Sequence, residues 1–231
     1  MALNLAFEVT GRVYSEIAAA VKPHVSKDDT RPVLTAVHLI ADGDGDFHLE
    51  ATDSYSLIRA SGHSDDPNRD EPWEWAAADV TVPGVEFLSL KPEKSARVWC
   101  TVGDVVEITD GTTTVALTPI AGDDPAYPGT FPDFDEIASD IRPADIDGHR
   151  LAMGGAIQFG KLAKLPKSVP TVFTFNGANK PVSFYSSGAA VGDDVFAPVR
   201  FRGMLMPIRL LGDEYTDSGW EPLTSRVGVA A

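Results

Sequence analysis

Five histidines, one cysteine and 34 acidic residues are the side chains of this 231-residue chain best suited to metal or acid–base chemistry. His24, His38, His48, His63 and His149 are scattered, and none stands at ligand spacing from another histidine or from Cys100, so no zinc site is expected. The run Asp42-Gly43-Asp44-Gly45-Asp46 opens like a calcium loop. Its sixth position is Phe47, where that loop turns on glycine, and its twelfth is Asp53 rather than glutamate. A tight turn between strands is the expectation there. The glycine patterns of a nucleophile elbow, a phosphate loop or a dinucleotide site do not occur, and paired carboxylates are plentiful only because acid is plentiful. The chain is therefore expected to have no catalytic residue, no metal and no cofactor.

The remaining chemistry is electrostatic, and it is divided along the chain. The formal net charge is −15, which by itself argues against phosphate contacts. Residues 1–148 carry 10 basic and 28 acidic residues, whereas residues 149–210 carry eight basic residues against Asp193 and Asp194 alone. No acid occurs from 149 to 192. Such a division implies a surface of two characters, one acidic and one basic.

Three stretches of similar pattern must position these groups: a short strand, an amphipathic helix, then three strands. In the first, an alternating strand at 5–9 precedes a helix at 12–21, with Val13, Ile17 and Val21 at four-residue spacing and Pro23 as its stop. Strands follow at 34–40, 47–52 and 55–60, then an acidic loop at 61–79. In the second, a strand at 80–82 and a helix at 84–90 lead to strands at 98–102, 105–109 and 113–117, the last two joined at Asp110-Gly111. In the third, a strand at 151–153 and a helix at 156–165 lead to strands at 172–175, 182–185 and 201–206. Residues 125–147 read as a linker and the last 21 residues as a loose acidic tail. The unit recurs with a period of roughly 70 residues, too long for a solenoid repeat. The fold class is α+β. No apolar run is long enough to span a membrane, no leader pattern opens the chain, and a lone cysteine suits a reducing compartment, so a cytoplasmic location is expected.

Three motifs carry a resemblance. Arg31-Pro32-Val33-Leu34-Thr35-Ala36-Val37 followed by Ala51-Thr52-Asp53-Ser54-Tyr55-Ser56-Leu57 resembles the strand and A-T-D-G-[HY]-R-L turn of the middle domain of bacterial β sliding clamps. Gly129-Thr130-Phe131-Pro132-Asp133-Phe134 is similar to the element closing that domain, and Met204-Leu205-Met206-Pro207-Ile208-Arg209-Leu210 to the motif ending the family's chains. The resemblance covers about residues 1–210. It implies a DNA-clamp fold of repeated β-α-β-β-β units, with helices lining a central hole and sheets outside, in about one and a half clamp domains. Residues 1–135 would be a domain of two units, 136–210 a third unit and 211–231 the tail.

The function implied is a processivity factor: a homo-oligomeric ring around duplex DNA, bound without regard to sequence, that tethers the replicative polymerase and meets its loader through short peptides. Bacterial clamps close on twelve units, so three units per chain favour a tetramer over a trimer or dimer. Arg12, Lys22, Lys91, Lys94, Lys161, Lys164 and Lys167 are the expected DNA-facing residues; Lys161 and Lys164 share helical spacing with Gln158, apart from Phe159, Leu162 and Leu165. Carried over residue by residue, the partner-peptide pocket would use Leu34, Thr52, Ser54, Tyr55, Ser56, Leu57, Pro132, Ile137, Met204, Met206, Pro207, Ile208, Arg209 and Leu210. Ser54 stands where the family has glycine, Ser56 where it has arginine, and Glu136 at a position often basic, departures compatible with a phage-encoded clamp. The alternative is a clamp-like decoy or adaptor that binds partner peptides without encircling DNA; an unrelated β-rich binding module is a weaker reading.

Overall fold

The computed structural model describes residues 4–64, 74–139, 155–166, 170–176, 180–187 and 199–207. Strand β1 (Asn4–Thr10) runs directly into α1 (Gly11–Val21), where the Thr10 hydroxyl accepts a hydrogen bond from the Val13 amide at 3.3 Å. Tyr14, Ile17, Ala18 and Val21 form the buried stripe of α1, and Pro23 converts its end into a 3-10 turn over Lys22–His24. Strands β2 (Ala36–Asp42), β3 (Asp46–Thr52) and β4 (Ser56–His63) follow as an antiparallel meander. The acidic run between β2 and β3 is the expected tight turn: Asp42 Oδ1 accepts from the amides of Asp44 and Asp46, and Gly43 and Gly45 take positive φ.

The second unit holds β5 (Glu74–Trp75), β6 (Ala77–Pro83), α2 (Gly84–Phe87), β7 (Arg97–Val102), β8 (Val106–Thr109) and β9 (Thr114–Leu117). Helix α2 is one turn rather than the seven residues expected. The Phe87 carbonyl accepts from the buried Tyr14 hydroxyl at 2.6 Å, and Pro92 disfavours helix just beyond. Strand β5 was not expected at all. It pairs in parallel with β1, so the segment read as an exposed acidic loop is partly sheet.

Helix α3 (Phe134–Ser139) also interrupts a stretch read as linker. Asp133 starts it, its carboxylate accepting from the amides of Asp135 and Glu136 at 2.9 and 3.0 Å. The third unit shows α4 (Gly155–Leu162), β10 (Val172–Phe175), β11 (Val182–Ser187) and β12 (Arg200–Leu205); the strand expected at 151–153 lies outside the described residues.

Two sheets result among the described residues, ordered β5-β1-β7-β8-β9 and β10-β11-β12-β4-β3-β2-β6. The strand preceding each of the first two helices lies in the other unit's sheet: β1 along β7 and β6 along β2, both antiparallel. That reciprocal exchange makes one body of two units. Phe7 of one sheet stacks on Phe47 of the other at 4.5 Å between ring centroids, and the same core takes in Phe184, Phe201 and Leu205 of the third unit. Each such side chain contributes about 1.5–3 kcal/mol on burial. The third unit joins through its last strand, β12, antiparallel to β4 with Arg200 opposite Ser61 and Leu205 opposite Ser56. Gly203 permits this approach, since a Cβ there would lie 2.3 Å from the Leu57 carbonyl oxygen.

Candidate functional site

The β4–β12 seam has two sides. Alternation along β4 buries Ile58 and Ala60 toward α1 and turns Leu57 and Arg59 outward; along β12 it turns Arg202 and Met204 to the same outer side. A cavity of about 280 Å³ opens on this outer side. It is lined by Leu57 and Arg59, by Phe134, Asp135 and Ala138 of α3, by Thr174, Ser183 and Tyr185, and by Arg202, Gly203 and Met204. Arg59 fixes its wall, donating from Nε to the buried Glu50 at 2.5 Å and from Nη1 to Asp135 at 2.7 Å, which pins α3 to the sheet. The Arg59 guanidinium holds the Asp135 carboxyl below the usual carboxylate range. Arg202 lies over the Tyr185 ring, 5.7 Å from its centroid. Apolar walls with a few placed charges suit a short peptide bearing apolar anchors.

Of the expected pocket residues, Leu57 and Met204 line this cavity. Tyr55, Ser54, Ile137 and Met206 are exposed nearby in sequence to its walls, Pro132 and Pro207 are half-buried, and Ile208, Arg209 and Leu210 lie outside the described residues. Leu34, Thr52 and Ser56 need correction: all three are buried and none lines the cavity. Thr52 donates to the Ser56 carbonyl at 2.9 Å and so builds the turn that presents Tyr55. Ser54 sits at φ 74° in that turn, a conformation that glycine adopts without strain, with its hydroxyl accepting from Arg31 at 2.9 Å. The sequence reading missed Arg59, Phe134, Asp135, Thr174, Tyr185 and Arg202. The two-residue alternation of β12 carried the signal for Arg202.

Ser56 belongs to a buried polar cluster at the same seam. Lys161 of α4 reaches across to ion-pair with Asp53 and donates to Ser56 Oγ at 2.7 Å. Ser56 in turn donates to Asp53 at 2.9 Å, and His24 Nδ1 lies 3.0 Å from the same hydroxyl. With one proton to give and two lone pairs, the hydroxyl is satisfied when His24 donates from Nδ1. Burial first, and the Lys161 charge second, push the His24 imidazole down to about 3, so it is neutral. Burial pushes the Asp53 carboxyl up, but the Lys161 hydrogen bond and charge outweigh it and hold the group below the usual range. Gln158, one turn earlier, donates to the Met206 carbonyl at 2.7 Å. The expectation that Lys161 faces DNA is thus overturned. The Gln158–Lys161 stripe of α4 packs inward against the first unit, while Ile157 and Phe159 are exposed.

On the helix side of the sheet, three of the expected basic residues do meet. Arg12 of α1, Lys94 of the loop after α2, and Lys164 just beyond α4 line a hollow of about 390 Å³, together with Ser15, Glu16, Ala19, Pro92 and Pro166. The Gly11 amide donates to the Ala96 carbonyl at 2.6 Å and the Arg12 amide to that of Lys94 at 3.1 Å, so the loop is tied to the start of α1. Gly11 is required there, because a Cβ would meet the Glu93 carbonyl oxygen at 2.0 Å. Arg12 Nε lies 3.4 Å from Glu16, a loose, half-buried pair. Lys22 and Lys91 are exposed outside this hollow, and Lys167 lies outside the described residues. Among the described residues no three metal-capable side chains gather. No helix there is long and apolar enough to cross a membrane.

No protein-family model matches the sequence, and no curated protein matches it either. Solved structures do. The DNA polymerase sliding clamp of Pseudomonas aeruginosa aligns with a TM-score of 0.61 at 15% identity, over 91% of this chain and 68% of that one. A putative DNA polymerase III beta subunit from Eubacterium rectale gives 0.63 at 11% identity, over 91% and 67%. The DNA polymerase III beta chain of Streptococcus pneumoniae gives 0.61 at 14%, over 91% and 66%. The chain has the sliding-clamp fold and spans about two thirds of the length of these clamp chains.

Proposed function

We propose that this protein is a DNA sliding clamp, a homo-oligomeric ring that encircles duplex DNA and tethers the replicative polymerase. The observation that carries the reading is the placement of two different surfaces on opposite sides of one clamp-fold sheet. The basic hollow of Arg12, Lys94 and Lys164 lies on the α1 side, and the apolar cavity beside Leu57 and Met204 lies on the other. A ring must hold DNA by its phosphates without reading bases, which mobile lysines and arginines do. Its partners must bind where DNA does not. The excess acid of residues 1–148 keeps DNA from the outer wall.

On this reading residues 1–135 form a complete clamp domain, 136–210 a third unit and 211–231 an acidic tail, and four chains supply the twelve units of a ring in the cytoplasm. The protein performs no chemistry; polymerase and loader dock through short peptides. The test is a fluorescent peptide from the polymerase tail titrated with the chain and with Leu57→Ala. Loss of the anchor contact weakens binding by about 2 kcal/mol, or roughly 30-fold. Equal affinity for both proteins would contradict the assignment of the cavity. The span of two thirds of a clamp chain also admits a decoy that binds partner peptides without encircling DNA. Primer extension separates the two, since a clamp lengthens polymerase products and a decoy shortens those made with the host clamp.

A further inference from the structure

The first two units of the chain seal one another. Strand β2 is flanked by β6 and β7 by β1, each flanking strand coming from the other unit. The inward side chains of the flanked strands are closed off as a result: Val37 and Leu39 on β2, and Val98 and Cys100 on β7, are all 0% exposed. The third unit uses its last strand, β12, along β4, but among the described residues the strand that follows its helix, β10, has no such neighbour. Among the described residues β10 pairs with β11 alone and ends the seven-stranded sheet. Register places Phe173 opposite Phe184 and Phe175 opposite Val182, so both phenylalanines stand on the inward side with those buried partners. Each is nonetheless 39% exposed, and on α4 Ile157 and Phe159 are 74% and 53% exposed. An open strand edge together with uncovered large apolar side chains marks an interface.

We propose that a second copy of this chain covers this face. Two third units pair about a two-fold axis, each closing the β10 edge and the exposed α4 side chains of the other, so that two chains share one clamp domain. The occupant follows from the rest of the molecule. Where a unit of this fold is complete, its mate is another unit of the same kind, related by reciprocal strand exchange; the third unit alone lacks one among the described residues. An isologous contact also closes on itself and builds no filament. This deepens the ring reading: β9, the last strand of the second unit, lies at one edge of the other sheet among the described residues, and a second two-fold contact there joins pairs into four chains.

The test is mass by light scattering on the full chain at micromolar concentration without DNA, for wild type and for Ile157→Glu/Phe159→Glu. Both side chains face water in the single chain, and a far-UV circular dichroism melt verifies that the variant folds. Should it not fold, Val172→Lys on the exposed edge of β10 takes its place. Wild type is expected at two or four times the 24.7 kDa chain mass, and the variant at half the wild-type value. A wild-type mass of one or three chains, or a variant mass equal to wild type, would overturn the pairing. Loss of DNA retention with the mass intact would refute the clamp reading and leave the pairing standing.

Discussion

Replacing Lys161 by methionine keeps the packed stem and removes the cation from a site where its side chain is 8% exposed and that of Asp53 is 20% exposed. Asp53 retains three neutral donors, the Tyr55 amide at 3.2 Å, the Ser56 amide at 2.9 Å and the Ser56 hydroxyl at 2.9 Å. Breaking a buried ion pair by removing one partner destabilises by about 3–5 kcal/mol. The retained donors and the partial access of Asp53 to water place this pair at the lower end, about 3 kcal/mol, or more than 100-fold in the folding equilibrium. The third unit shares its core with the first, so the loss reads out in the whole cooperative transition. Urea unfolding followed by circular dichroism gives the value. Asp53→Asn combined with Lys161→Met then measures their coupling, expected at about 2 kcal/mol. Exposed Lys164→Met is the control, within about 0.5 kcal/mol of wild type. If Lys161→Met is as stable as the control while DNA retention falls, the lysine works in the DNA-filled hole and the buried cluster is refuted.

Three further outcomes follow from the same geometry. Because His24 titrates near 3 when folded and near 6.5 when unfolded, the unfolded chain binds the extra proton between those values, and stability falls as pH falls through that window by up to about 1.4 kcal/mol per unit. His24→Asn keeps a donor for Ser56 and should flatten the slope by that amount; an unchanged slope in urea titrations between pH 6 and 4 would show that His24 is protonated in the fold. Gly203→Ala forces β12 from the Leu57 carbonyl and should lose about 2–3 kcal/mol in a thermal melt, an unchanged midpoint contradicting the seam's register. Alanine at Arg12, Lys94 and Lys164 together should reduce the slope of log affinity against log salt by about 2.7, at 0.9 per phosphate contact; a slope equal to wild type would remove the hollow from the DNA path.

The unit pattern was legible because strand alternation and the spacing of Val13, Ile17 and Val21 are local consequences of burying one face. What sequence could not supply was the far side of each contact. Lys161 has the spacing of a solvent-facing lysine; only the tertiary meeting with Asp53 and Ser56 reveals it as a buried tie. Ser56 reads in sequence as one more turn residue, and the structure gives the reason that the position is small and polar: its hydroxyl joins Asp53, Lys161 and His24. Helix α3 was hidden inside a Pro- and Asp-rich stretch, although Asp133 followed by Asp135 and Glu136 is a helix-start signal. Strand β5 is two residues long, below what periodicity can detect, and is fixed by the neighbouring β1.

The central claim is that the protein holds DNA by topology. It is tested by measuring how long the loaded protein stays on a nicked circular duplex compared with the same duplex linearised, at a salt concentration that abolishes simple phosphate contacts. Retention on the circle with rapid loss from the linear form, by sliding off its ends, is the predicted result. Equal and rapid loss from both would contradict a closed ring and leave a protein that only docks on clamp partners.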